Sequence, residues 1–302
     1  MLPHSALRVP GPPALPMTGR TPRLRGTLPS GVRVCALEGR IIDRTSGPEW
    51  TAQLPGFVNG HRYASVPIEE ALVEVHCAQP EQFDVRRLGA LFGASDGFPK
   101  AEEQVEVSGG VGVEEDRVES DFHKNVVGYR FRRSDDQRAI QVQPNRLVFN
   151  WLRPYESWDA LLGEFEPVWE RYAKVAEPTP VVAGVRYINI IRVPKPQVEI
   201  GDYLRISIDV PPYLPQSVAS HFLQVEIPFG DGTTSRIVSS LVDSGEPGKQ
   251  ALLLDIGVQQ RLHGHGDEVL RESLDRLRVV KNYVFEACIT DATRGLMDDG
   301  TC

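Results

Sequence analysis

The chain has 302 residues, 41% of them hydrophobic, and a formal net charge of −8, enough apolar material for one large or two ordinary globular domains. The acidic balance argues against a general grip on nucleic-acid phosphates, so no nucleic-acid partner is expected. No apolar run approaches the ~20 residues needed to cross a bilayer, and the start lacks a continuous apolar signal core. The expectation is a cytoplasmic protein without a membrane partner.

Residues 1–63 hold nine of the 24 prolines and eight arginines against Glu38, Asp43 and Glu49. That is +5 for this stretch, which leaves −13 for the remainder of a chain at −8. Such composition predicts a disordered Pro/Arg-rich arm over residues 1–65. The arm reads as a basic tether, or more plainly as a solvated tail or an upstream extension from a wrongly chosen start codon. Val34, Leu37, Ile41 and Ile42 are the one apolar cluster in it and suggest a local hairpin. Cys35, Cys77, Cys288 and Cys302 have no C-x-x-C spacing and read as reduced thiols.

A single body is expected over 66–302. Pro67–Cys77 is a strand, and Phe83, Leu88, Leu91 and Phe92 suggest a short amphipathic helix. A glycine-rich strand around Val105–Val113 follows. Then the period becomes two, in Val127, Tyr129 and Phe131, in Ile140 and Val142, and in Leu147, Phe149 and Trp151. Alternation of this kind marks antiparallel strands with one face buried. Asp135-Asp136 and Pro144-Asn145 supply turns. Ser157 is a fitting N-cap for a helix from Trp158 to Ala176, lined by Trp158, Leu161, Leu162, Phe165, Trp169 and Tyr172. Pro167 inside it should kink or restart the helix. Val181–Val193 is again a strand.

The plan then recurs. Leu223, Val225, Ile227 and Phe229 alternate, Gly230-Asp231-Gly232 makes a tight turn, and Ile237–Val242 and Ala251–Val258 follow. A helix over about 268–289 carries Leu270, Leu274, Leu277, Val284 and Cys288, with one skipped turn in its apolar spacing. Glu272 and Arg276 are spaced to pair on its outer side. The predicted fold is α+β: a large, mostly antiparallel sheet with two long helices and one short helix on one face. Its two meander-plus-helix halves cover about 66–195 and 196–296. A helix about 10 Å wide covers roughly two strands spaced about 4.8 Å, so part of a sheet of eight or nine strands should remain for solvent or a partner.

Reactive motifs are sparse. His263, His265 and Asp267 are the best metal-like group, yet Asp267 stands where a helix N-cap is expected, so no metal is assigned. Ser244–Lys249 lacks the glycine and the Ser or Thr of a phosphate loop, and no cofactor fingerprint is present, so no cofactor is assigned. Asn150, Arg153, Tyr155 and Trp158 form a polar and aromatic corner where strand becomes helix. With Arg186 they are candidate ligand-binding residues, the two arginines orienting an anionic group. The structural alternative is that they staple the turn. Alternation places Arg186 on the face opposite Tyr187 and Asn189, so at most part of this set converges.

The runs Pro67-Ile68-Glu69-Glu70-Ala71, Phe149-Asn150-Trp151-Leu152-Arg153-Pro154-Tyr155-Glu156-Ser157-Trp158, Gly184-Val185-Arg186-Tyr187-Ile188-Asn189 and Phe285-Glu286-Ala287-Cys288-Ile289-Thr290 carry a resemblance. Residues 66–296 resemble a sporadically distributed family of uncharacterised bacterial proteins of about this body length. That resemblance implies no chemistry, and its scattered occurrence hints at a defence or toxin–antitoxin type module. The leading expectation is a non-enzymatic binding or accessory protein that acts through a protein partner or as a homo-oligomer. The alternative is an enzyme or small-ligand binder built on the Arg/Tyr/Asn corner.

Overall fold

The computed structural model describes Leu54, Phe57 and residues 61–114, 117–264 and 266–300. Most of the arm, its expected hairpin, Cys35, Cys302 and His265 lie outside the described residues.

Nine strands form one sheet in which every neighbouring pair is antiparallel. The strands are β1 (Ile68–Cys77), β2 (Lys100–Glu114), β3 (Arg117–Arg132), β4 (Arg138–Gln143), β5 (Arg146–Leu152), β6 (Pro180–Val193), β7 (Phe222–Pro228), β8 (Thr233–Val242) and β9 (Gln250–Arg261). Two long helices, α1 (Trp158–Ala176) and α3 (Asp267–Cys288), accompany the short α2 (Ile200–Tyr203) and α4 (Asp291–Asp298). The fold is therefore α+β, and each half is a strand, a meander and a long helix. The order β2-β3-β4-β5-β1-β6-β9-β8-β7 returns each meander beside its own first strand, β5 beside β1 and β9 beside β6. β1 and β6 meet at the centre.

Period-two sequence decides which face is which. In the central strands Ala71, Val73, Val75, Phe149, Trp151, Val185 and Tyr187 share one face and are buried in the core. The opposite face carries Glu70, Glu74, Arg146, Arg186 and Asp255. On it Arg186 grips Asp255 with two hydrogen bonds, 2.8 and 2.5 Å. Burying six to eight large side chains per helix stabilises by ~1.5–3 kcal/mol each, and this holds α1 and α3 to the apolar face.

Ser157 caps α1 as expected, its Oγ accepting the Ala160 N–H at 3.2 Å. Pro167 neither ends nor restarts the helix. It sits on the exposed side, so the carbonyl it leaves without a donor is open to water. The expected short helix is instead a pair of 3-10 turns, Val85–Ala90 and Ala94–Asp96, with Leu88 buried. α2 and α4 were not anticipated. They are tied together by the Thr293 hydroxyl donating to Tyr203 O at 2.6 Å. Arg276 pairs with Asp231 in the β7–β8 turn, not with Glu272.

Two polar devices fix the helices over the sheet. The buried Arg138 of β4 holds Glu164 of α1 through two bonds of 2.9 Å and lies over the Trp151 ring. The antiparallel α1 and α3 are interlocked by two indoles. Trp158 Nε1 donates to Asp275 at 3.2 Å and Trp169 Nε1 donates to Asp267 at 2.8 Å. Arg271–Glu166 at 2.7 Å spans the same seam. α3 lies over β6, β9 and the near side of β8, leaving β7 beyond its cover.

Candidate functional site

The corner set does not converge. Asn150 is buried on the face away from the helices and donates to Ala139 O at 3.2 Å. Arg186 is on that same face, in the row where Leu72 stands between the two. Arg153 is exposed and pairs with Glu69 at 3.1 Å, and the Arg153–Pro154 peptide is cis. Trp158 belongs to the helix interlock. Only Tyr155 touches a residue that lines a cavity: its hydroxyl meets that of Tyr187 at 2.9 Å and the rings are edge-to-face. The corner is thus divided by the sheet itself, because adjacent residues in a strand face opposite ways.

The metal-like group divides as well. His263 and Asp267 are described, His265 is not, and Asp267 is engaged by Trp169. The N-cap of α3 is Gly266, so Asp267 is its first helical residue and not its cap. Among the described residues no cluster of three His, Cys, Asp or Glu side chains is placed to share a metal ion. Cys77 and Cys288 are buried free thiols, and burial pushes both up to about 12, which keeps them protonated and inert.

A different place gathers polar groups. Where α3, the start of β1 and the middle of β6 approach, a cleft encloses about 550 Å³, its mouth included. Val66, Pro67, Ile68, Phe285 and Met297 give it apolar walls, and Tyr187, Asn189, Lys281 and Glu286 enter it. Three elements position these groups. Alternation in β6 turns Tyr187 and Asn189 to the helix side, where Asn189 Nδ2 donates to Leu254 O at 2.9 Å. Helical spacing brings Lys281 to the same side as Leu277 and Phe285. Arg294 of α4 holds Glu286 at 3.0 Å, and the Tyr63 hydroxyl donates to that carboxylate at 2.7 Å.

Lys281 is the unusual member. Its ammonium lies 3.8 Å from the centroid of the Tyr187 ring, and among the described residues it forms no salt bridge. Burial first and the nearby Arg278 second lower its pKa to about 7, with Glu286 opposing. The ring face favours the cation and works against that direction. Burial also raises Tyr155 to about 12 and Tyr187 well above the usual phenol range, so both hydroxyls remain protonated donors. A cation that is part-buried without a salt bridge is costly, and the cost falls when it either loses its proton or meets an anion.

A second groove of about 820 Å³ runs between α1 and α3. Its polar groups satisfy one another through Trp169–Asp267 and Glu166–Arg271, which leaves it the character of a helix seam.

The turn that seemed skipped in the α3 stripe is filled by Val280, 1% exposed, between Leu277 and Val284. Lys281 stands beside it, four residues after Leu277 and four before Phe285. A lysine on the buried side of an amphipathic helix is a visible irregularity. No family model matches the chain, and no curated protein matches it. Among the described residues no helix is long and apolar enough to cross a membrane.

Proposed function

We propose that this is a binding protein whose cleft beside Lys281 takes a small organic anion with an apolar body. The observation that carries it is the Lys281 ammonium, set in a cleft with apolar walls and forming no salt bridge among the described residues. A short-chain carboxylate would place its oxygens against Lys281 and Tyr187, and its alkyl part against Ile68, Phe285 and Met297. Glu286 does not forbid this, because Arg294 and Tyr63 already neutralise and occupy it. The anionic ligand foreseen for the strand-to-helix corner is thus proposed for a neighbouring cleft, to which Tyr155 is joined only through Tyr187.

Thermal shift and calorimetry with a panel of two- to eight-carbon carboxylates and their neutral amides test this. Carboxylates should raise Tm and the amides should not, and Lys281→Met should remove the effect. Binding should weaken as pH rises through about 7, since the amine must be protonated to pair. A panel without any shift, or a shift that survives Lys281→Met, overturns the reading.

The leading expectation, a protein partner or homo-oligomer, is the second reading. It is supported by β7, an edge strand with Phe222 70% and Ile227 41% exposed. With it go a cytoplasmic setting and, through the family resemblance of residues 66–296, a defence or toxin–antitoxin type module.

A further inference from the structure

The two edges of the sheet are built differently. At β2 the first seven residues, Lys100–Glu106, include Lys100, Glu102, Glu103 and Glu106, a density of charge that discourages another strand from pairing. At β7 the seven residues Phe222–Pro228 hold a single charge, Glu226. Around Val225 they read the same in both directions: apolar Leu223 and Ile227 at two residues, polar Gln224 and Glu226 at one. A strand with this pattern is complementary to itself when reversed.

Hydrogen-bond parity allows the pairing. The Phe229 N–H donates to Thr233 O at 2.9 Å across the β7–β8 turn, which makes the odd residues of β7 the ones bonded to β8. The N–H and C=O groups of Gln224 and Glu226 therefore point away from the sheet, as does the N–H of Phe222. We infer that a second copy of this chain pairs with β7 antiparallel about a two-fold axis at Val225, joining two nine-stranded sheets into one.

In that register Gln224 of one copy exchanges both backbone bonds with Glu226 of the other, and its side-chain amide donates to the Glu226 carboxylate. Leu223 meets Ile227, and Val225 meets its own copy across the axis. Pro228 lacks only an N–H, and its carbonyl still accepts from Phe222. Seven paired residues with their flanking side chains form a small interface of roughly 1,200 Å² or less, in the class of micromolar dissociation constants. This gives the protein-partner reading a definite occupant and does not depend on the Lys281 cleft.

Sedimentation equilibrium of the full chain from about 1 to 100 µM decides the matter, since that range brackets the affinity expected for this interface class. The wild type should show a reversible monomer–dimer equilibrium. Gln224→Glu sets two carboxylates opposite each other twice per dimer and should weaken association about five- to tenfold, with a partial recovery at high salt. Gln224→Lys sets an ammonium opposite Glu226 twice and should tighten it by a similar factor. Residue 224 is exposed, so neither change threatens the fold. A chain that stays monomeric throughout, or a dimer indifferent to both substitutions, overturns the pairing without touching the cleft.

Discussion

Lys281 shows how one side chain can set both a stability profile and a binding preference. Its folded pKa, near 7, lies below the ordinary lysine value of 10.5. Between those two pH values the unfolded chain holds the extra proton, so the folded state gains stability as pH rises through the window. Below about 7 the amine is charged in both states and its full burial cost remains. Lys281→Met should therefore raise Tm clearly at pH 6 and much less at pH 9.5, measured by scanning calorimetry. Equal gains at both pH values would mean that the amine is as well solvated in the fold as outside it. Gly128 gives a second test at this scale, because a Cβ there would stand 2.3 Å from the Val142 carbonyl oxygen. Gly128→Ala must push β3 away from β4, and a loss of about 1–3 kcal/mol in urea unfolding is expected.

At the scale of elements, the indole interlock turns two independently amphipathic helices into a pair of fixed spacing. Removing the Trp169 donor with Phe should cost about 0.5–1.5 kcal/mol beyond the packing change, the ordinary net value of one hydrogen bond. Asp267→Ala should cost a similar amount. A double-mutant cycle should return a coupling of about 0.5–1 kcal/mol, and a coupling of zero would show the two groups to be independent. The same geometry explains the fate of the metal-like cluster: Asp267 is spent on a helix-to-helix bond that no local pattern announces. Arg138 acts likewise across layers, carrying a charge-assisted fork from β4 to α1 where the sequence shows only a polar residue at the start of a strand.

Across the whole molecule, the nearly two-fold plan leaves two unlike edges on one sheet. α3 packs chiefly on the strands next to the centre, so Val225 is only partly buried and Phe222 and Ile227 at the β7 border are exposed. Self-pairing of β7 belongs to this scale, because it depends on which strand is left at the edge. The central cleft lies where the two halves meet, at β1, β6 and α3, so ligand and partner would occupy separate parts of the chain. Binding at one is expected to leave affinity at the other unchanged within about twofold; a larger shift in the monomer–dimer equilibrium on adding a carboxylate would reveal coupling between them.

The elements themselves were legible. Period two in Leu147–Trp151 and Leu223–Ile227, the Ser157 cap and the aromatic stripe of α1 all act over a few residues, and the backbone obeys them locally. So the class of fold, the antiparallel sheet and the one-sided placement of the long helices followed from the chain itself. The site did not. Asn150 and Arg186 share a face with Leu72 between them, but Asn150 is spent on Ala139 O, Arg186 on Asp255 and Arg153 on Glu69, and Lys281 acquires its environment from Tyr187 of β6, 94 positions away in the numbering. Strand order, edges and cavity walls depend on contacts between distant segments, whose free energies are settled only when the whole sheet closes around its core.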